Sequence, residues 1–453
     1  MTISDRDAAE AFLDARIGRG VKPGLDRMRG LLDYLADPHH AYPVIHVAGT
    51  NGKTTVCRLV TDLLGAHGLV VGTFVSPHLH RVEERFSIAG RPVDAARFAT
   101  AVDEIAWMVE EYERRHEDGP TYFELTTALA FSLFAAEAVD VAVVEVGLGG
   151  RLDATNVVEA AVAVVTGIGL DHEAELGETK SRIAREKVAI LDEGGRLVTG
   201  PVPAEAEGPI TARVAETGAR WYRFGGEFRV VEARRAVGGW SADVSGIHGD
   251  YEDLYLPLHG RHQVDNLATA VATTEAFLGR ALDVDAVRAA AGAATAPGRL
   301  EVVARTPLVV VDGAHNPQGM AGLARTLDEE FPDLRRVLVV GVRGGRDLDR
   351  LLAPLRGLVH AAVATTPADP AGRDPEEVAA AARRVLEVPT TTTSTVAEAV
   401  ARALDEAEAD GAVIVAGSLY VAGEARAALG RTEIRPSPVH ARIEPPDELP
   451  EGE

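Results

Sequence analysis

The sequence has very little cysteine, few aromatic residues and no excess of positive charge. Its single cysteine, Cys57, excludes an internal disulfide framework and a cysteine-based zinc site. A net charge of −23 argues against a surface that binds nucleic acid or an anionic membrane. No apolar run approaches a membrane span, and the charged residues 1–6 offer no signal-peptide core. We therefore expect a cytoplasmic protein without a nucleic-acid or membrane partner.

The most informative stretch is residues 46–55, which read His-Val-Ala-Gly-Thr-Asn-Gly-Lys-Thr-Thr. It follows an apolar, strand-like segment and precedes a helical pattern that begins at Val56. A glycine-rich turn between a strand and a helix directs backbone N–H groups at one point, where a lysine adds charge and a threonine hydroxyl can reach Mg²⁺. The alternative is a tight turn with a solvated lysine. The pattern predicts a loop that binds a nucleoside triphosphate through Gly49, Thr50, Asn51, Gly52, Lys53, Thr54 and Thr55.

Strand-like and helix-like patterns alternate along most of the 453 residues, which is enough chain for two or three domains. Apolar strands at 141–146 and 161–166 alternate with helical patterns at 126–136 and 181–191. This order predicts an α/β fold with βαβ units around a parallel sheet. Short segments between glycines predict small antiparallel strands from about 221 to 258, followed by a helix over 264–278.

A second run of alternating elements follows the segment Ala296, Pro297 and Gly298. The patterns predict strands at 308–311, 337–340, 361–364 and 413–416, with helices at 375–386 and 396–407, and so a second doubly wound α/β domain. We expect domain limits of 1–295 and 296–435. Residues 436–453 are rich in Pro and Glu and predict a flexible tail.

Polar residues stand where several predicted strands end. Glu145 ends one strand and is either a Mg²⁺ ligand or a solvated acid. His172 follows the next strand, and a single histidine there is either structural or part of the same rim. Asp312 and His315 follow a strand of the second domain. Arg299, in the linker, either reaches a phosphate or forms an interdomain salt bridge.

Lys187 is unusual because it shares a helix face with Ile183, Ile190 and Leu191. A lysine on an apolar face either extends its ammonium group to solvent or is a poised or chemically modified amine, since burial lowers the pKa of a lysine.

Taken together, these segments resemble the folylpolyglutamate synthase/dihydrofolate synthase family, a branch of the Mur-type peptide ligases. The similarity extends over about residues 25–429 and does not depend on any one motif. The matching segments are 47–53, 76–79, 84–86, 122–124, 145–156, 169–172, 185–187, 260–263, 297–299, 312–316 and 417–420.

The resemblance implies a P-loop, Mur-ligase-like central domain with a parallel sheet and a Rossmann-like α/β C-terminal domain. It implies an ATP-dependent ligase that adds L-glutamate to dihydropteroate and to folates through an acyl phosphate. The implied cofactors are ATP and two Mg²⁺ ions, with a monovalent cation as a candidate third ion. We expect a monomer, because no apolar partner surface is evident in the sequence.

The resemblance also implies roles for individual residues. Lys53, His172, Lys187 and His315 would be catalytic. Ser76, Glu145 and Thr54 would hold one Mg²⁺ ion, and His172 with a carbamylated Lys187 would hold the second. Gln263, Asn266, Arg299 and Asp312 would complete the ATP site with the phosphate loop. The expected substrate-binding residues are Thr121, Phe123, Asp153, Ala154, His315 and Ser418.

Besides the folate ligase, two interpretations of function stay open at this point. Thr54 and Thr55 stand where this family commonly has Gly-Ser, and they look more like the cell-wall branch. A Mur-type amide ligase for another carboxylate is therefore one alternative. A nucleotide-binding switch without ligase activity is another, although it would not need two metal ions. For the proposed pterin residues, the alternative is that Phe123 packs in the core and Asp153 caps a turn.

Overall fold

The computed structural model describes residues 3–434 and Val439, so the tail predicted at 436–453 lies outside the described residues except for Val439. The first part of the chain alternates strands and helices around one large sheet. Its elements are α1 (Arg6–Asp14), α2 (Asp26–Tyr34), β1 (Val44–Ala48), α3 (Lys53–Ala66), β2 (Val71–Phe74), β3 (Phe86–Ile88), β4 (Arg91–Pro92), α4 (Ala95–Arg115), α5 (Tyr122–Ala136), β5 (Val141–Glu145), β6 (Ala160–Val165), α6 (Glu173–Leu176), α7 (Lys180–Val188), β7 (Arg196–Thr199), α8 (Ala204–Thr217) and β8 (Arg220–Arg223).

Within the described residues this sheet has eight strands in the order β4-β3-β2-β5-β1-β6-β7-β8. The six strands from β2 to β8 in that order are parallel, and β3 and β4 add an antiparallel edge. The central strands β1 and β5 are buried throughout because helices cover both faces, which explains their unbroken apolar runs. The phosphate loop, Glu145 and the segment that carries His172 therefore follow three adjacent strands at the same edge.

A small antiparallel sheet follows, in the order β11-β10-β9. The predicted antiparallel region is correct from Arg229 onward, but its proposed start near Trp221 is wrong because β8 pairs in parallel with β7. Tyr222 is buried, so this edge strand of the large sheet has a covered face. The elements of this region are β9 (Arg229–Ala236), β10 (Gly239–Ser245), β11 (Asp250–Leu256), α9 (His262–Leu278) and α10 (Val284–Ala293).

The last part of the chain forms another α/β layer structure. Its sheet, which we call the second sheet, has the strand order β12-β13-β17-β14-β15-β16. All neighbouring pairs are parallel except β12 with β13. Apolar clusters fill both faces of this sheet. Its elements are β12 (Glu301–Arg305), β13 (Leu308–Val311), α11 (Pro317–Glu330), β14 (Arg336–Val340), α12 (Leu348–Leu352), β15 (Ala361–Ala364), α13 (Pro375–Leu386), β16 (Thr390–Thr392), α14 (Val396–Ala407), β17 (Ala412–Ala416) and α15 (Leu419–Ala428).

No helix in the described part of the chain is both long enough and apolar enough to cross a membrane.

Gly72, in β2, tests how closely the large sheet packs against α5. A Cβ atom at Gly72 would lie 2.7 Å from the ring of Phe134, which is fully buried. We expect Gly72→Ala to destabilise the protein by about 1–3 kcal/mol through overpacking, measured as a lower Tm in thermal unfolding. The matched control is Gly208→Ala on the exposed face of α8, where a new Cβ would meet nothing within 4 Å. That variant should gain up to about 1 kcal/mol from helix propensity. Equal Tm values for the two variants would contradict the packing argument.

Candidate active site between the two sheets

The turn between β1 and α3 has the backbone geometry of a phosphate-binding loop. Gly49 and Gly52 adopt φ values of +156° and +84°, which residues with a Cβ rarely adopt. A Cβ atom at Gly49 would lie 1.9 Å from Thr166 Oγ1, and one at Gly52 would lie 2.6 Å from Asn266 Oδ1. Both glycines are therefore required, and Asn266 is brought beside the loop. The N-terminus of α3 starts at Lys53, so its free N–H groups face the same point.

Glu145 lies at the carboxyl end of β5, beside this loop. Its Oε2 atom accepts hydrogen bonds from Thr54 Oγ1 at 2.9 Å and from the backbone N–H of Ser76 at 3.3 Å. Lys53 Nζ is 4.0 Å from Oε1. Burial raises the pKa of Glu145, while the charges of Lys53 and, further away, Arg299 oppose that rise. The structure thus brings together the residues expected around the first metal ion.

Lys187 is buried with only 5% of its surface exposed, and its Nζ atom donates a hydrogen bond to the carbonyl oxygen of Gly49 at 3.0 Å. Burial first, and the positive charge of Lys53 second, lower the pKa of Lys187 to about 7. The apolar helix face is as expected, since Ile183 and Ile190 are buried beside it. The ammonium group does not extend to solvent but points at the phosphate loop.

The carboxylate of Asp171 connects the first part of the chain with the C-terminal part. It accepts a hydrogen bond from Asn316 Nδ2 at 3.0 Å, pairs with His315 Nε2 at 3.4 Å and is bonded to the guanidinium of Arg346. Burial by itself would raise the pKa of Asp171, but the hydrogen bond from His315 and the surrounding positive charges hold it well below its usual range. His172 follows directly, with φ +50° at the start of α6. Burial lowers the pKa of His172.

The loop after β13 forms the wall of the candidate site that lies opposite the phosphate loop. Asp312 accepts hydrogen bonds from the backbone N–H groups of Leu300 and Ala314, both at 2.7 Å, so it ties the linker to the second sheet. The imidazole of His315 is oriented by an Nδ1 contact of 2.8 Å with the Gly313 carbonyl. Arg299 packs against Gly313, where a Cβ would lie 2.6 Å from its guanidinium.

The phosphate loop also contacts the second sheet directly. Asn316 Nδ2 donates to Asn51 Oδ1 at 3.1 Å, and Asn51 Nδ2 donates to Gln318 Oε1 at 3.1 Å. On α9, Asn266 Nδ2 donates to Gln263 Oε1 at 2.8 Å, so both expected nucleotide residues lie on the same side of the loop. Residues from both parts of the chain therefore lie around this loop.

A cavity of about 990 Å³ extends from the first helices to the C-terminal sheet. Its wall includes many of the expected site residues. The whole loop 49–55 lies outside its lining, as do Glu145, Lys187, Gln263, Asn266 and Asp312. The expected residues in the wall are Ser76, Thr121, Phe123, Asp153, Ala154, His172, Arg299, His315 and Ser418.

The expected pterin residues have structural contacts as well as places in this wall. Thr121 caps α5 in a reciprocal box with Glu124, and Ser418 caps α15. The ring of Phe123 packs with its centroid 6.0 Å from that of Phe74. Asp153 caps its own loop. Burial raises the pKa of Asp153, and hydrogen bonds from Thr155 and from the loop backbone oppose that rise. The core-packing and turn-capping contacts are thus present, and both side chains still face the cavity.

Sequence reasoning missed two buried or half-buried arginines in the wall. Arg346 pairs with Asp171, and it follows two glycines after β14, which is a signal for a loop at a strand end. Arg85 is 6% exposed, and its Nε atom donates to His78 Nδ1 at 3.0 Å. Arg85 lies in the matching segment 84–86, but nothing in that segment indicates that a cavity opens there.

Comparisons with known proteins agree with this geometry. The Mur ligase middle domain matches residues 47–274, and the "Mur ligase, glutamate ligase domain" matches residues 298–419. The chain is 39% identical over 443 residues to a dihydrofolate synthase/folylpolyglutamate synthase of Mycobacterium tuberculosis, covering 91% of each chain.

Two solved structures are also similar. A Mycobacterium tuberculosis folylpolyglutamate synthase complexed with ADP gives a TM-score of 0.90 at 38% identity, over 96% of this chain and 100% of that one. An E. coli FolC in complex with DHPP and ADP gives 0.84 at 32% identity, over 94% and 98%.

The ion pair between Arg346 and Asp171 should stabilise the contact between the two sheets. In Arg346→Met the buried carboxylate loses a charged partner, and we expect a destabilisation of about 1–3 kcal/mol in thermal unfolding of the free protein. The matched control is Arg350→Met, because Arg350 makes a 3.1 Å ion pair with Glu173 across the same boundary but is 48% exposed. That variant should change stability by less than about 0.5 kcal/mol. Equal effects of the two substitutions would show that Asp171 is not the stabilising contact.

Proposed function

The chain belongs to the dihydrofolate synthase/folylpolyglutamate synthase family of Mur-type ligases, and from that premise we propose how its own residues perform the reaction. It is an ATP-dependent ligase that joins L-glutamate to folates. We assign it both family reactions, glutamate addition to dihydropteroate and to reduced folates. The supporting observation is the continuous cavity that joins the loop of Asp153 to His315 and Ser418 in the second sheet.

ATP would bind with its phosphates on the loop from Gly49 to Thr55. The backbone N–H groups and Lys53 offer positive charge there, and Asn266 with Gln263 borders the loop. Arg299, Asp312 and His315 would complete the site from the linker and the second sheet. This arrangement requires the two parts of the chain, for which we propose limits of 1–295 and 296–435, to act together.

Two groups of side chains would each hold one Mg²⁺ ion, and they differ in the ligands that they offer. Thr54, Ser76 and Glu145 offer the oxygen ligands that Mg²⁺ prefers, and substrate phosphates commonly supply the rest. His172 and Lys187 suit a second Mg²⁺ only if the lysine is modified, since an ammonium group repels a cation. No group of three or more His, Cys, Asp or Glu side chains in the described part of the chain is arranged for a metal. The fit therefore depends on hydroxyl groups and on a carbamate.

A low pKa favours that modification. At a pKa of about 7, much of the Lys187 amine is neutral at neutral pH and can add to CO₂, releasing a proton and forming an anionic carbamate. The second ion would then be held by this carbamate and His172, and a monovalent cation is a candidate third ion. Bound Mg²⁺ would neutralise the phosphates and the developing charge.

The reaction needs an activated carboxylate, because a carboxylate oxygen is a poor leaving group. Transfer of the γ-phosphoryl group of ATP to the substrate carboxylate gives an acyl phosphate and ADP. The amine of L-glutamate then attacks the acyl carbon, and inorganic phosphate leaves. Lys53 and Arg299 would screen the two anions as they approach. His315, whose imidazole is already oriented, and Ser418 would contact the substrates from the second sheet.

All these residues come from one chain, so the site does not need a second copy, and we propose a monomer that works in the cytoplasm. Thr54 keeps a hydroxyl on Glu145 despite its departure from the usual family motif. The alternative of another carboxylate substrate would need another occupant for the cavity between Phe123 and Asp153.

Release of ADP by the purified enzyme tests the function. We expect turnover only when ATP and L-glutamate are present together with dihydropteroate or a reduced folate, because each supplies one reacting group. Lys53→Met should lower turnover by about 10²-fold or more without a change in Tm, since Lys53 stabilises transferred charge and is partly exposed. Turnover without a pterin substrate, or with a different carboxylate only, would contradict the assignment.

Lys187 has a matched control in the same helix, Lys180, whose side chain is 37% exposed and pairs with Glu205 at 3.2 Å. We expect Lys187→Ala to lose turnover by about 10²-fold or more, with partial recovery in added acetate or bicarbonate, and Lys180→Ala to stay within about 2-fold of the unmutated enzyme. ¹³C NMR of the enzyme in labelled bicarbonate should show a carbamate carbon that is missing in Lys187→Ala. A fully active Lys187→Ala, or the same spectrum from both proteins, would overturn the modification.

A further inference from the structure

Asp153 does not stand alone in the cavity wall but ends a chain of buried hydrogen bonds. Its Oδ1 atom accepts from the Thr155 hydroxyl at 2.6 Å and from the Thr155 backbone N–H at 3.0 Å. Its Oδ2 atom accepts from the Leu148 backbone N–H at 2.8 Å. Behind Thr155, His46 Nε2 lies 2.8 Å from the same hydroxyl oxygen. Thr155 and His46 are both fully buried, and neither lines the cavity.

The donors in this chain can be ordered by counting protons. The Thr155 hydroxyl has one proton, and the carboxylate of Asp153 has none to give, so the hydroxyl donates to Asp153. The hydroxyl oxygen must then accept from His46, which places the imidazole proton on Nε2. Burial lowers the pKa of His46 to about 3, consistent with a neutral ring. The order is therefore His46 to Thr155 to Asp153.

Burying His46 lowers the stability of the fold, and packing alone does not explain why a histidine stands at this position. Its Nδ1 atom is buried and has no hydrogen-bond partner among the described residues. The neighbouring inner positions of β1, Ile45 and Val47, are apolar and equally buried. An unpartnered ring nitrogen destabilises such a position relative to an apolar side chain, whereas the Nε2 proton is used on Thr155.

We propose that Thr155 and His46 are positioning residues that hold the Asp153 carboxylate in one orientation toward the pterin ring of the substrate. Three hydrogen bonds, two on Oδ1 and one on Oδ2, fix the carboxylate, and Asp153 lines the cavity, where a 2-amino-4-oxo ring would offer N–H donors to its remaining lone pairs. His46 also belongs to β1, which leads directly into the phosphate loop, so the carboxylate is held from a fully buried central strand of the large sheet. The proposal rests on the proposed function, because it takes Asp153 as a pterin-binding residue.

Steady-state kinetics with dihydropteroate, ATP and L-glutamate test this chain of hydrogen bonds from His46 through Thr155 to Asp153, which we call the relay. We expect Thr155→Val, which keeps the shape but removes the hydroxyl, to raise KM for dihydropteroate about 10-fold with KM for ATP unchanged. Thr155→Ser should restore it to within about 2-fold. The matched control is Thr274→Val, a buried threonine whose hydroxyl donates only to the Ala270 carbonyl at 2.9 Å. That control should leave both KM values unchanged.

His46→Leu gives the second half of the test. If His46 acts through Thr155, the double variant His46→Leu/Thr155→Val should show the same KM for dihydropteroate as Thr155→Val alone. Independent, multiplied effects, or an equal rise in KM for ATP, would show a general structural role and overturn the relay. Asp153→Asn separates the two hypotheses. If that variant leaves KM for dihydropteroate unchanged, the pterin assignment itself fails. If it raises KM while Thr155→Val does not, only the relay fails.

Discussion

Two lysine side chains share one backbone acceptor at the centre of this site, the carbonyl oxygen of Gly49. Lys53 Nζ donates to it at 3.2 Å and Lys187 Nζ at 3.0 Å. Burial first, and the repulsion between these two close ammonium groups second, lower the pKa of Lys187. The arrangement depends on the left-handed backbone of Gly49, whose Cα lies against Thr166. The concentration of positive charge that anionic substrates need therefore begins with one glycine, in a protein that is acidic as a whole.

The same need for charge compensation explains how the two sheets are joined. Asp171 places a buried negative charge at the rim of the large sheet. His315, Asn316 and Arg346, from the C-terminal part of the chain, pair with it or donate hydrogen bonds to it. The residues that would contact ATP from the second sheet are thereby held next to the phosphate loop. Because the contact lies one residue from His172, the relative position of the sheets and the expected metal site are linked.

Several site residues have a role in the fold as well as a place in the site. Thr121 caps a helix with its hydroxyl and also lines the cavity, and Asp153 caps a loop while its carboxylate stays in the wall. The choice between a structural and a functional interpretation, which the sequence leaves open for Phe123 and Asp153, is therefore not exclusive. A side chain that internal hydrogen bonds already hold in place loses less conformational entropy when a ligand binds, and its fixed orientation favours ligands that match it.

The sequence by itself determined the α/β class, most strands and helices, the glycine-rich turn between β1 and α3 and the carboxylate that ends β5, because these depend on local periodicity and on residues close together in the chain. It also indicated that Lys187 lies on an apolar helix face. Only the tertiary structure decided that β8 joins the large sheet, that Lys187 reaches Gly49, that Arg346 meets Asp171 and that His46 supports Asp153 through Thr155. These pairings join residues far apart in sequence, and they follow from strand order and from the close approach of two sheets, which no local pattern encodes.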